Sequence, residues 1–159
     1  MKKLLIGVLL FSFNTYTFSK SFESNGFRNI KWQESISKYE AVMHLTSEKG
    51  SAKKFYVKEN DKMFLGNITL SSIIYIFYNG KFSSVVIQTD QSVTNLSQVL
   101  IELKKKFGKP FYANKYINKY RWKNENTTVS LKCYSSSHKC SIKYDSIIMR
   151  NLEKNNKFL

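Results

Sequence analysis

Proline occurs once in this 159-residue chain, as Pro110, and there are only two cysteines, two histidines and eleven acidic residues. Without a Pro/Gly-rich linker, an internal repeat or a low-complexity block, the chain has no natural point of division and reads as one domain. A structural zinc site needs three or four ligands at compatible spacing. Two cysteines with His138 nearby and His44 far off do not supply one. The acidic residues are scattered, and the closest acidic pair, Glu59 and Asp61, lies in the turn-like KENDK. No phosphate-binding glycine loop is present, and neither histidine belongs to a recognisable triad. No catalytic, metal-ligating or cofactor-binding residue is therefore assigned, and no enzyme is expected. Arginine is scarce too, since Arg28, Arg121 and Arg150 are the only ones among 26 basic residues, and the net charge is +15. Lysine is a hydrated point charge, whereas arginine forms bidentate pairs with carboxylate or phosphate. So skewed a surface predicts diffuse attraction to anionic partners and does not demonstrate a nucleic-acid site; with export removing the usual nucleic-acid partners, none is expected. A Lys-, Asn- and Ile-rich composition also arises from an AT-rich genome.

What the chain does have begins with MKKLLIGVLLFSFNTYTFSK. Lys2 and Lys3 form a positive start, residues 4–13 an apolar run, and Thr17 and Ser19 suit a cleavage site. This layout predicts a signal peptide over 1–19 and a periplasmic or secreted domain over 20–159. No cysteine near the cleavage point offers a lipid anchor. No later segment approaches the ~18 apolar residues of a membrane span.

Along the exported part, FRNIKW supplies Phe27, Ile30 and Trp32 as apolar members. ESISKYEAVMHL follows with Ile36, Tyr39 and Val42 or Met43 at helical spacing and Ser35 as a cap, which predicts a short amphipathic helix. Two strands flank Lys49-Gly50, and KMFLGNITL is a short strand interrupted at Gly66-Asn67. SSIIYIFY and KFSSVVIQTD flank Asn79-Gly80, the best signal for a type I′ hairpin turn. Their weak alternation predicts central strands. Leu96, Val99, Leu100, Leu103 and Phe107 form the apolar stripe of the clearest helix, capped by Asn95 and closed by Gly108 and Pro110. Three more strands follow the proline, and the tail begins as a helix capped by Asp145. The fold class expected is α+β: a single domain with an antiparallel β-sheet of about eight strands, two packed helices and one hairpin disulfide.

That disulfide is read from CYSSSHKC. Val129, Leu131 and Cys133 share one face of the incoming strand, and Cys140, Ile142 and Tyr144 one face of the outgoing strand. Directly opposed cysteines in an antiparallel pair lie within disulfide reach, and an exported protein with an even cysteine count oxidises them. Free thiols and metal or redox chemistry are the weaker alternatives.

The residues FRNIKW at 27–32, IIYIFYNGKFSSV at 73–85, LxxKFGKP at 103–110 and YRW at 120–122 together resemble a group of small exported bacterial proteins with no established activity. The resemblance spans roughly residues 27 to 145. It implies export and an α+β fold and transfers no catalytic residue. Members carry Gly directly after the Trp. Gln33 stands there in this chain, which implies a differently built turn.

The remaining signal is a basic-aromatic stretch, Lys115, Tyr116, Lys119, Tyr120, Arg121, Trp122 and Lys123, on a strand expected at a sheet edge. Lys104, Lys105, Lys106 and Lys109 add charge at the end of the preceding helix. If these surfaces adjoin, they form a partner-binding patch for an acidic protein or an anionic envelope component. The function expected is a non-catalytic envelope accessory protein. An inhibitor or immunity-type protein is the second reading, and a hydrolase with an unrecognised carboxylate site the third.

Overall fold

The computed structural model describes residues 25–90, 96–134 and 139–156. The expected signal peptide, the Asn95 cap and His138 lie outside the described residues. The chain runs β1 (Gly26–Phe27), β2 (Ile30–Lys31), β3 (Met43–Lys49), β4 (Lys53–Lys58), β5 (Phe64–Leu65), β6 (Ile68–Tyr78) and β7 (Lys81–Thr89). It continues through α1 (Leu96–Phe107), β8 (Tyr112–Asn114), β9 (Lys119–Lys123), β10 (Thr127–Cys133), β11 (Cys140–Ser146) and α2 (Ile147–Asn155). One antiparallel sheet takes the order β3-β4-β6-β7-β11-β10-β9-β8, with β5 paired onto β6, and β1-β2 form a small separate hairpin. The α+β expectation, with two helices on a mostly antiparallel sheet, describes this architecture.

Asn79 and Gly80 take φ of 48° and 72°, as a type I′ turn requires. They join the two long strands at the middle of the sheet. The first face of the sheet carries the core. Tyr75 and Phe77 of β6, Phe82, Val85 and Ile87 of β7, Ile142 and Tyr144 of β11, Val129 and Leu131 of β10, and Trp122 of β9 are all buried there. Val99 and Leu103 of α1 close over it, with Leu96, Leu100 and Phe107 at the margin of the stripe. At the end of α1, Gly108 takes φ 79° and its N–H donates to the Lys104 carbonyl at 2.8 Å. Cys133 and Cys140 sit directly opposite one another and are joined by a disulfide.

The N-terminal hairpin is fastened to this core by polar contacts. Trp32 stacks on Phe82 at 4.8 Å, and its Nε1 donates to Thr127 Oγ1 at 2.8 Å. Arg28 donates to Asp61 at 2.6 Å and to the Phe64 carbonyl, while the Tyr75 hydroxyl donates to the other Asp61 oxygen at 2.7 Å. Burial, followed by this bond to the Asp61 carboxylate, pushes the Tyr75 hydroxyl well above the ordinary phenol range. It stays protonated as the donor.

Two local expectations are corrected. ESISKYEAVMHL makes only a 3-10 turn, Ile36–Lys38, capped by Ser35. Met43 belongs to β3, where it pairs with Lys58, and a sheet ladder stabilises this backbone better than an isolated short helix would. The tail helix is capped by Ser146, whose Oγ accepts from Met149 N–H at 3.3 Å. Asp145, one residue earlier, is held in the β11 ladder opposite Ser84 and Thr128. Gln33 takes φ 69°, so the turn after Trp32 has the left-handed conformation that favours glycine.

Candidate anion-binding face

Period-two alternation sorts the basic-aromatic stretch onto opposite sides of the sheet. Tyr120 and Trp122 face the core, at 6% and 2% exposure, and Trp122 Nε1 donates to the Gly108 carbonyl at 2.9 Å. Neither is available to a partner. β9 is also not the edge strand, because β8 lies outside it. Lys119, Arg121 and Lys123 project from the second face. The cations of α1 ride over the first face, where Lys105 pairs with Glu102 at 2.9 Å and Lys106 lies over the Phe107 ring. Lys104 and Lys109 are exposed, and Lys115 with the fully exposed Tyr116 forms the tip between β8 and β9. The two groups of residues expected to adjoin are thus divided between the two faces of the sheet.

α2 decides which part of the second face is open. It starts beside β11 and crosses the sheet, burying Met149, pairing Glu153 with Lys53 of β4, and donating from Asn156 to the Tyr78 hydroxyl. Among the described residues, the half formed by β6 and β7 is covered, and the half formed by β8 to β11 is left bare. On that half the register builds three rows. Asn114, Lys119, Lys132 and Ser141 lie across one, Tyr112, Arg121, Ser130 and Lys143 across the next, and Lys123, Thr128 and Asp145 across the third. These four strands carry five cations on this face, Lys119, Arg121, Lys123, Lys132 and Lys143. Asp145 is their single acidic residue. Lys119 stands directly opposite Lys132, an arrangement that destabilises a sheet by roughly 0.2–1 kcal/mol. Exposed aromatics rim the half: Phe111, Tyr112 under the Arg121 guanidinium at 5.5 Å, and Tyr134 under Lys132 at 4.4 Å.

Where α2 meets the bare half there is a cavity of about 330 Å³ lined by Phe111, Arg121, Lys123, Thr128, Ser130, Asp145 and Arg150. Two of the chain's three arginines converge here. Thr128 is buried, and among the described residues neither its Oγ1 nor the buried Arg150 Nε has a hydrogen-bond partner. Asp145 accepts from Lys143 at 2.7 Å. The reading from sequence alone found Arg121 and Lys123 and missed Arg150, Thr128, Ser130, Asp145 and Phe111. The rarity of arginine was the available signal for Arg150. The others are ordinary alternating strand residues whose grouping depends on register.

Among the described residues no group of three His, Cys, Asp or Glu side chains is placed to hold a metal ion. His44 lies on the exposed edge strand β3, 3.6 Å from Glu59. No helix of the described residues is long and apolar enough to cross a membrane.

No curated protein and no solved structure matches the chain significantly. The TP0088 domain does match, over residues 22–155, which takes in every strand and helix of the described residues. The chain belongs to the TP0088 domain family.

Proposed function

We propose that this is an exported, non-catalytic binding protein of the cell envelope whose bare second face holds an anionic envelope polymer. The observation that carries the reading is the concentration of cations on one solvent-facing half-sheet. Lys119, Arg121, Lys123, Lys132 and Lys143 share it with one carboxylate, and two of the lysines oppose each other directly. Repulsion of that kind lowers stability, and a polyanion laid across the rows would relieve it. The aromatic rim suits stacking on sugar rings as well as on peptide groups.

The test uses the exported form, with its N-terminus mapped by mass spectrometry to check cleavage near Lys20. Retention on polygalacturonate is measured over a salt series, with neutral dextran and single-stranded poly(dT) as comparators. Binding to polygalacturonate, lost in Arg121→Gln/Lys123→Gln and kept in Lys104→Gln/Lys105→Gln/Lys106→Gln, supports the face. Equal losses in both variants mean diffuse charge and refute it, and preference for poly(dT) reassigns the partner. Capture of one stoichiometric protein in place of any polymer favours the inhibitor reading.

A further inference from the structure

The geometry points to the cavity beneath Arg150 as the seat for one anionic sugar unit, a uronate or a sugar phosphate, within whatever lies on the bare face. This deepens the proposed function and rests on that face being the binding surface. The floor is a small lattice on adjacent strands. Arg121 is opposite Ser130, and Lys123 is opposite Thr128, which is itself opposite Asp145. Arg150 of α2 lines the same cavity. Arg121 and Lys123 therefore stand on β9 and the Asp145 carboxylate on β11, two strand spacings away, roughly 10 Å from backbone to backbone. A ligand that satisfies both sides carries an anionic group at one end and hydrogen-bond donors at the other.

The residue types narrow the choice. In a chain whose cations are overwhelmingly lysine, two of three arginines line this one cavity, and guanidinium forks match planar carboxylate or phosphate oxygens. Thr128 is 7% exposed, and among the described residues its hydroxyl and Arg150 Nε are unpartnered. Buried polar groups are normally paired, and an acceptor seated in this cavity would satisfy both. Asp145 is already neutralised by Lys143 at 2.7 Å. A ligand ammonium at that position would meet the Lys143 charge, whereas a neutral sugar hydroxyl would not. Phe111, exposed at the rim, offers an apolar face for a ring. The volume, about 330 Å³, lies near the small end of the ligand-pocket range of roughly 300–1,000 Å³, which suits one sugar unit.

The experiment follows backbone and arginine Nε–Hε resonances of the exported protein titrated separately with glucuronate, glucose 6-phosphate and glucose. The expected result is saturable shifts at Arg121, Thr128 and Arg150 with one or both acids, at least tenfold tighter than with glucose. Which acid binds assigns carboxylate or phosphate. Arg150→Gln and Thr128→Val are each expected to weaken the acid at least fivefold, their folding verified from the unchanged spectrum of the first face. Equal affinity for glucose, shifts confined to Lys104–Lys106, or no effect of either variant would overturn the seat. If Thr128→Val also keeps full retention on polygalacturonate, the face survives and only the cavity assignment falls. Loss of polymer retention in the parent protein removes the proposed function itself.

Discussion

Replacing Thr128 with Val should make the unliganded protein more stable. Thr128 lies in β10 between β9 and β11, and its backbone is held in both ladders. Thr and Val share β-branching and strand preference, so the ladder is unaffected. The change lies in the side chain: a buried oxygen without a partner becomes a methyl group. Leaving a hydroxyl desolvated and unpaired costs roughly 1–3 kcal/mol. The adjoining cavity gives the slightly larger methyl room, so little of that gain is lost to overpacking. A net gain of about 1–2 kcal/mol is expected. With an unfolding entropy of ~2.1 cal/mol/K per residue over roughly 130 residues, 1.5 kcal/mol raises Tm by about 5 °C. Calorimetry and urea unfolding of the parent and T128V, without sugar or phosphate in the buffer, measure this directly. An unchanged or lower Tm would show that the hydroxyl already has a partner. The argument that the cavity awaits an acceptor would then collapse.

Lys119→Thr removes the repulsion with Lys132 and should gain about 0.5 kcal/mol at low ionic strength, shrinking in ~1 M salt where the Debye length is about 3 Å; urea titrations at the two salt concentrations read the difference. Asp61→Ala strands the Arg28 guanidinium and the Tyr75 hydroxyl together, and should lose about 2–3 kcal/mol by urea unfolding, against about 1 for Tyr75→Phe. Exchanging both cysteines for serine should cost about 2 kcal/mol, the closure entropy of a loop this short, with the far-ultraviolet spectrum retained; a loss near zero would contradict the staple. At the left-handed Gln33, Gly should gain about 0.5 kcal/mol and Val lose about 1 or more, since only glycine is unstrained there; equal Tm values for the two variants would contradict that account.

Features set by near neighbours were legible before any tertiary structure. Asn79-Gly80 demands two positive φ angles, and the chain folds back there. The stripe from Leu96 to Phe107 and the Gly108-Lys109-Pro110 stop define α1, and equal spacing on a hairpin sets Cys133 against Cys140. Period-two alternation also carried the information that Tyr120 and Trp122 face away from Arg121 and Lys123. Long-range pairing decided the rest. Helical spacing at Ile36, Tyr39 and Met43 yielded to the ladder with β4, because Met43 gains a strand partner that no local sequence names. The tertiary structure alone determined that α2 crosses β7 toward β4, and so which half of the second face stays bare. It also gathered Arg121, Thr128, Asp145 and Arg150 into one cavity. Those residues come from three strands and a helix, and register and helix docking, both products of the whole core, set the distances between them.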